Sequence, residues 1–339
     1  MQLSRKASLK AYNSFGFDVS AEYLVIVKTL DELKGALGFC AENKLSLLVI
    51  GGGSNLILTQ DISGLVVINR IVLKQVESTS DGDFLVTAGA GENWHEFVRW
   101  TLMQGYNGLE NLSLIPGTVG AAPMQNIGAY GVEIKDRMEY LDALDRESGE
   151  LCRFAAGECG FGYRDSVFKR IHAGRYIIIS VTFRLSAKVG LVLDYSGLSA
   201  VVERQGIEDP TALQISDLIC DIRRSKLPDP EALGNAGSFF KNPVIPEQQC
   251  AELTRRYPGL VSFSDQPGLR KLAAGWLIDQ LGWKGHRQGA VGVYDKQALV
   301  LINYGKGSGG DILSLAQAIQ ASVADRYGVL LEIEPRTYP

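Results

Sequence analysis

Two glycine-rich stretches are the first places where this sequence could do chemistry. Gly51-Gly52-Gly53-Ser54-Asn55 directly follows the apolar run Leu45–Ile50, so a buried strand empties into a loop with almost no side chains. Glycine tolerates positive φ and lets backbone N–H groups approach an anion closely, which a pyrophosphate cradle requires. The stretch is neither of the two common phosphate loops. It lacks the Gly-Lys-Ser/Thr of a Walker loop, and Ser54–Leu58 does not read as the helix that a G-x-G-x-x-G fingerprint opens. Taken alone, a tight strand-to-loop turn explains it equally well. The second stretch, Ile115 to Gly131, holds four glycines and the small residues Ala121 and Ala122. Side chains this small suggest a large, flat group lying against the backbone. A mobile surface loop fits poorly, because Ile115, Val119, Met124 and Ile127 are apolar and favour burial.

The elements around these loops follow from periodicity. Tyr23–Val27 reads as a strand. Asp31–Asn43 has helical spacing, with Leu33, Ala36, Leu37 and Cys40 on one face, and Thr29 with Glu32 makes a capping-box pattern. Leu45–Ile50, Val66–Ile68 and Phe84–Ala88 read as strands, and Trp94–Gln104 as a helix with Trp94, Phe97, Val98, Thr101 and Leu102 on one stripe. Strands are expected at Leu141–Leu144 and Tyr176–Val181. Leu227-Pro228-Asp229-Pro230 breaks local structure and marks a boundary. Beyond it the pattern predicts a helix over 271–281, a strand at Ala298–Ile302, an amphipathic helix over 312–327 and a last strand at Leu330–Glu334.

Composition narrows the function classes. The 339 residues are 46% hydrophobic and 21% charged, a globular balance that excludes disorder and coiled coil. A net charge of −4 gives no electrostatic footprint for nucleic acid. No apolar run approaches the roughly 18 residues of a membrane span, and the basic start has no apolar stretch after it, so neither membrane nor secretion is expected. Five scattered cysteines without a C-x-x-C pair read as reduced thiols of a cytoplasmic protein, and three dispersed histidines suggest no metal site.

The loops acquire a specific meaning from their company. Gly-Gly-Gly-Ser-Asn together with Ile115-Pro116-Gly117-Thr118-Val119-Gly120-Ala121-Ala122-Pro123 resembles the two FAD loops of the vanillyl-alcohol-oxidase (PCMH) type of flavin fold. Three later motifs narrow the resemblance: Gly162-Tyr163-Arg164-Asp165-Ser166, Gly234–Pro243 around Ala236-Gly237-Ser238-Phe239-Phe240, and Leu272–Asp279. Together they are similar to the UDP-N-acetylenolpyruvoylglucosamine reductase family, flavoenzymes that complete the lactyl ether of muramic acid in peptidoglycan synthesis. The likeness runs from Tyr12-Asn13-Ser14-Phe15-Gly16 to Glu334.

What the resemblance implies is concrete. FAD would be held by Gly51, Gly52, Gly53, Ser54 and Asn55, by Ile115, Pro116, Gly117, Thr118, Gly120, Ala121 and Ala122, and by Gln125, Asn126 and Gly128, with Arg223 near the flavin ring. NADPH would reduce the flavin and leave, and the UDP-sugar enolpyruvate would then enter the same cleft. In the family, hydride reaches C3 of the enolpyruvyl group while negative charge grows on the carboxylate side, which calls for a clamp on that charge and an acid for C2. Arg164 matches the clamp, since a guanidinium holds a carboxylate through two parallel bonds; without the motif it would read as a surface arginine paired with Asp165. Ser238 matches the proton donor, against the plainer reading of a turn serine. Glu334 matches the catalytic glutamate, with Glu332, two residues away on the same strand face, as the fallback. Tyr130, Tyr195, Lys226 and Asn242 match substrate contacts, Tyr195 in a loop that closes over the substrate in one branch of the family.

The expected architecture is α/β plus α+β: FAD-binding subdomains at 1–71 (with the C-terminal strand a candidate to join the first) and 72–224, then an α+β substrate domain at 225–339, acting as a monomer. Two other readings stand beside it. One is an oxidase or dehydrogenase of the same flavin fold on a small alcohol or sugar. Such enzymes often hold FAD covalently through His or Cys, and the two loops contain neither. The other is a non-catalytic flavin or nucleotide-sugar binder.

Overall fold

The computed structural model describes residues 2–194 and 197–339. The chain packs as two compact units. Described residues of 1–7, 21–52 and 63–225 form one, and 8–20, 53–62 and 226–339 form the other.

The first unit carries two sheets. One has the strand order Leu3–Ser8, Ser20–Val27, Ile62–Asn69, Leu47–Ile50. Its last two strands are parallel, with Leu47 opposite Leu65 and Ile50 opposite Ile68. The helix Leu30–Asn43 closes the βαβ crossover. Leu33, Ala36 and Cys40 are its buried face. Thr29 Oγ1 accepts from Glu32 N–H at 3.2 Å, whereas the Glu32 carboxylate accepts from Lys28 N–H rather than from Thr29, so the expected capping box closes one residue early. The second sheet is antiparallel, ordered Leu151–Ala155, Met138–Asp145, Tyr176–Leu185, Phe84–Gly89, Lys74–Ser78. Against it packs Trp94–Met103, whose buried residues are Trp94, Phe97, Val98, Thr101 and Leu102, the predicted stripe. Asn93 Oδ1 starts this helix by accepting from Glu96 N–H at 3.0 Å.

The second unit is built on the sheet Gly234–Ser238, Val300–Asn303, Val291–Val293, Arg287–Gln288, with Gly309–Tyr327 alongside. That helix has a full Ser308–Asp311 capping box and ends on Gly328 at φ +65°. Two expectations fail here. Residues 271–281 are not one helix: Leu269–Leu272 is the middle strand of a three-stranded sheet, and the helix begins only at Ala274. Lys271 pairs with Asp265 at 2.9 Å across that sheet, a cross-strand contact that helical spacing does not reveal. Residues 330–334 are not a strand either. Only Ile333 makes a bridge, to Phe240, and the final strand is the polar Arg336–Tyr338, parallel to Leu56–Leu58.

Among the described residues, no helix is long and apolar enough to cross a membrane.

Candidate active site

In the first unit the two glycine loops owe their smallness first to each other. A Cβ on Gly52 would lie 2.6 Å from Gly117 Cα, and one on Gly51 would overlap Thr118 Oγ1. Gly120 is closed off in the same way by the Cβ of Ala90. The second loop is stitched to the strand end before it: Trp94 N–H donates to Gly117 O, Val119 N–H to Glu92 O and Gly120 N–H to Ala90 O, at 3.0–3.1 Å. The apolar residues behave as their types demand, Val119 and Ile127 being buried and Ile115 and Met124 packed on the same core. Arg70 Nη1 donates to Gly51 O at 2.8 Å and fixes the first loop from below.

This backbone cradle fits a dinucleotide. The glycines leave no side chain in the way, and Thr118 Oγ1 is buried without a protein partner, a hydroxyl that a ligand oxygen or nitrogen would satisfy.

Farther along, the chain is strained. Leu114, Asn126, Tyr130 and Arg164 all have φ between +45° and +59°, four of the six non-glycine residues with positive φ among those described. Each such residue costs about 1–3 kcal/mol and persists only where its surroundings hold it. Asn126 is buried, and its amide donates to Glu133 Oε2 at 2.8 Å and to Gly162 O at 3.0 Å. Asn111 donates to Tyr130 O at 2.7 Å and to Val192 O at 2.8 Å. Arg164 Nη2 donates to Gly128 O at 2.9 Å, and a Cβ on Gly128 would come within 3.3 Å of Arg164 Nη1. Asp165 pairs with Arg170 at 2.9 Å. Arg223 Nε donates to Leu114 O at 3.3 Å. Burial lowers the pKa of Arg223 and nearby Arg164 adds to this, while Tyr130 and Cys220 oppose it. Two guanidiniums and a tyrosine are thus gathered at the glycine-rich loop, a setting for anionic or aromatic groups.

In the second unit, Gly53 stands at φ +66°, and a Cβ there would overlap Tyr12 O. Asn55 O accepts from Arg336 N–H at 3.1 Å. Ser238 ends the strand Gly234–Ser238 and is exposed, between Gly237 at φ +68° and the buried Phe239 and Phe240. Asn235, itself buried, shapes the irregular register before it: it donates to Pro228 O and Leu233 O and accepts from Gly237 N–H at 2.9 Å. Glu334 N–H donates to Phe239 O at 2.9 Å, so Ser238 and Glu334 lie on adjoining extended segments. The two glutamates differ. Glu332 is exposed and ion-paired with Lys241, whereas Glu334 is half-buried. Asn242 Oδ1 accepts from Ala274 N–H at 3.0 Å, holding the start of the helix Ala274–Gln280. Lys226 is exposed at the end of its helix. Tyr195 lies outside the described residues.

The residues that sequence reasoning missed are the supports: His95, Asn111, Glu133 and Asn235. His95 and Asn111 bond to backbone groups 19 or more residues away, while Glu133 and Asn235 bond within seven residues but across turns, and neither pattern is periodic.

A parallel-stranded unit with its crossover helix, a second antiparallel sheet and two interlocked glycine loops define the FAD-binding class of the vanillyl-alcohol-oxidase type. Residues 21–155 match the family model "FAD binding domain". Residues 229–338 match "UDP-N-acetylenolpyruvoylglucosamine reductase, C-terminal domain". The chain is 53% identical over 338 residues to the UDP-N-acetylenolpyruvoylglucosamine reductase of Pseudomonas putida, covering 100% of this chain and 99% of that protein. A crystal structure of the reductase from Thermus caldophilus matches with a TM-score of 0.69 at 24% identity, over 100% of both chains. The fold is also shared with 6-hydroxy-D-nicotine oxidase of Arthrobacter nicotinovorans, at a TM-score of 0.51 and 12% identity over 97% of this chain and 86% of that one. The chain belongs to the UDP-N-acetylenolpyruvoylglucosamine reductase family.

Proposed function

We infer that this protein is an FAD-dependent oxidoreductase that reduces the enolpyruvyl ether of UDP-N-acetylglucosamine to UDP-N-acetylmuramate, a step of peptidoglycan synthesis. The observation that carries this is the full-length identity of 53% to a reductase of that name, with the glycine cradle intact. NADPH is the proposed reductant. When bound, FAD supplies the hydride for the enolpyruvyl double bond.

The chain's own residues are proposed to do the following. Gly51–Asn55, Ile115–Gly128 and Arg223 seat FAD, with Thr118 Oγ1 giving or taking one hydrogen bond. Arg164 holds the substrate carboxylate as negative charge grows on it. Its fixed guanidinium charge and its anchoring on Gly128 O support that role. Ser238 passes its hydroxyl proton to C2, a role supported by its exposure and by the buried phenylalanines that fix its backbone. Glu334 assists in its protonated form, since an ionised carboxylate would repel the developing charge. Half-burial favours Glu334 over the exposed, ion-paired Glu332. Tyr130, Tyr195, Lys226 and Asn242 are proposed substrate contacts. Functionally we divide the chain into FAD-binding parts at 1–71 and 72–224 and a substrate-binding part at 225–339. Five free cysteines fit a reducing cytoplasm, and the protein is proposed to act as a monomer.

The test is anaerobic. NADPH should bleach the yellow protein, and the enolpyruvyl sugar should then restore the colour with one equivalent of product. Bleaching without restoration by that sugar, but with restoration by oxygen, would make it an oxidase-type relative.

A further inference from the structure

Leu114 stands at the entrance to the second glycine loop with φ +59°, a left-handed conformation that leucine disfavours. Two helices hold it there. His95, on Trp94–Met103, accepts the Leu114 N–H on Nδ1 at 3.0 Å. Arg223, on Ala212–Lys226, donates Nε–H to Leu114 O at 3.3 Å. The residues just before are anchored from the same helices: Trp94 Nε1 donates to Leu112 O at 2.9 Å, and the hydroxyls of Ser113 and Ser216 share a hydrogen bond of 2.7 Å.

To accept on Nδ1, the His95 imidazole must be neutral and carry its proton on Nε2. Nε2 faces Cys220 Sγ at 4.0 Å, a thiol whose sulfur is a weak acceptor for that proton. The rest of the surroundings favour the neutral ring. Burial is the largest influence, Arg99, Arg224 and Arg223 add to it, and only Glu96 works against it, so His95 is held below the usual histidine pKa. Arg99 is itself paired with Asp217 at 2.6 Å, and burial keeps Cys220 a thiol by raising its pKa. An imidazolium would set one N–H against another and release Leu114.

We propose that His95 is a positioning residue whose neutral Nε2–H tautomer, opposite Arg223, locks Leu114 in the left-handed turn that starts the loop Ile115–Ala122, so that its protonation loosens that loop's grip on FAD. The link to FAD rests on the reading of the loop given above; the lock on Leu114 does not.

Two variants of the full chain separate these. In His95→Asn, Oδ1 replaces Nδ1 as acceptor and cannot be protonated; in His95→Leu, the acceptor is gone. Apoprotein is titrated with FAD by fluorescence from about pH 8 to about pH 5, spanning the ordinary histidine range. Hydrogen exchange of the Leu114 amide is followed in the same apoproteins. Wild type should keep its affinity through the usual histidine pKa and lose it only at the lower pH values of the series, as the depressed His95 pKa is crossed, by up to about tenfold per pH unit, the slope of a single proton. His95→Asn should bind within about threefold of wild type at pH 8 and show a flat profile. His95→Leu should bind at least about tenfold more weakly at every pH and exchange Leu114 faster by a similar factor. The same pH slope in His95→Asn as in wild type, or unchanged Leu114 exchange in His95→Leu, overturns the proposal. If FAD binding is indifferent to both variants while Leu114 exchange responds, the lock stands and the assignment of the loop to FAD is what fails.

Discussion

Residues 112–131 of the first unit and residues 234–242 with 332–334 of the second place their functional groups by opposite means. In the first, the backbone takes conformations it would not choose, and side chains from remote elements hold it: His95 and Arg223 on Leu114, Asn111 on Tyr130. In the second, extended segments run side by side, Ser238 opposite Val300 and Phe240 opposite Ile333, and one buried asparagine sets the irregularity. A clamped loop presents backbone groups, which suits a cofactor recognised through its phosphates and ring. A paired strand presents side chains at fixed alternation, which suits residues that move protons.

If the contrast is right, single substitutions in the two regions should fail differently. The largest effect is expected at Ser238→Ala. The side chain is exposed and small, so the fold should be intact and reduction by NADPH near wild type. Reoxidation by the enolpyruvyl sugar should slow by about two to four orders of magnitude, the scale of a general acid. Equal slowing of both half-reactions in stopped-flow would assign Ser238 to structure instead. Glu334→Gln should cut kcat by about a hundredfold, the lower end of that same scale, with KM moved less than about tenfold; an unchanged kcat would remove it from the chemistry.

The loop region should respond in binding instead. Gly52→Val would drive a side chain into Gly117 Cα, 2.6 Å away from where its Cβ must sit, and the overpacking should cost about 1–3 kcal/mol. The measurable result is protein that purifies largely without FAD; a full flavin complement would sink the cradle assignment. Asn235→Ala probes the paired region by its support, leaving two carbonyls and one N–H short of a buried partner. A loss of about 1–3 kcal/mol in urea unfolding is expected, with Ser238 turnover impaired alongside. Smallest of all should be Glu332→Gln, whose own side chain is exposed and whose amide oxygen can still accept from the largely buried Lys241; it should change stability by less than about 1 kcal/mol and activity little. A dead Glu332→Gln with an active Glu334→Gln would shift the catalytic register by two residues.

Legibility in the sequence follows the same divide. Helices with a continuous apolar stripe, Trp94–Met103 and Gly309–Tyr327, bury the residues their spacing names. The glycine loops were visible as composition, although their mutual packing was not. Residues 271–281 misread because one apolar stripe happens to continue from a strand into a helix. Arg336–Tyr338 was missed because Arg-Thr-Tyr carries no apolar alternation; its strand state is imposed by Leu56–Leu58. The supports His95 and Asn111 were silent because a side chain bonding to distant backbone leaves no periodic trace, and Asn235 because its partners lie around a turn.

The second unit is assembled from chain ends. Ser14 reaches Asn235 across 221 residues, Phe15 is held by Asn303 across 288, and Thr59 by Tyr338 across 279. On a ribosome adding about 5–20 residues per second, segments 8–20 and 53–62 therefore wait about 11 to 58 seconds for partners that follow 221–288 residues later. During that interval Leu9, Phe15, Phe17, Ile57 and Leu58, all fully buried at the end, have no completed core to enter. Until those partners emerge, these apolar N-terminal pieces are natural handholds for a chaperone.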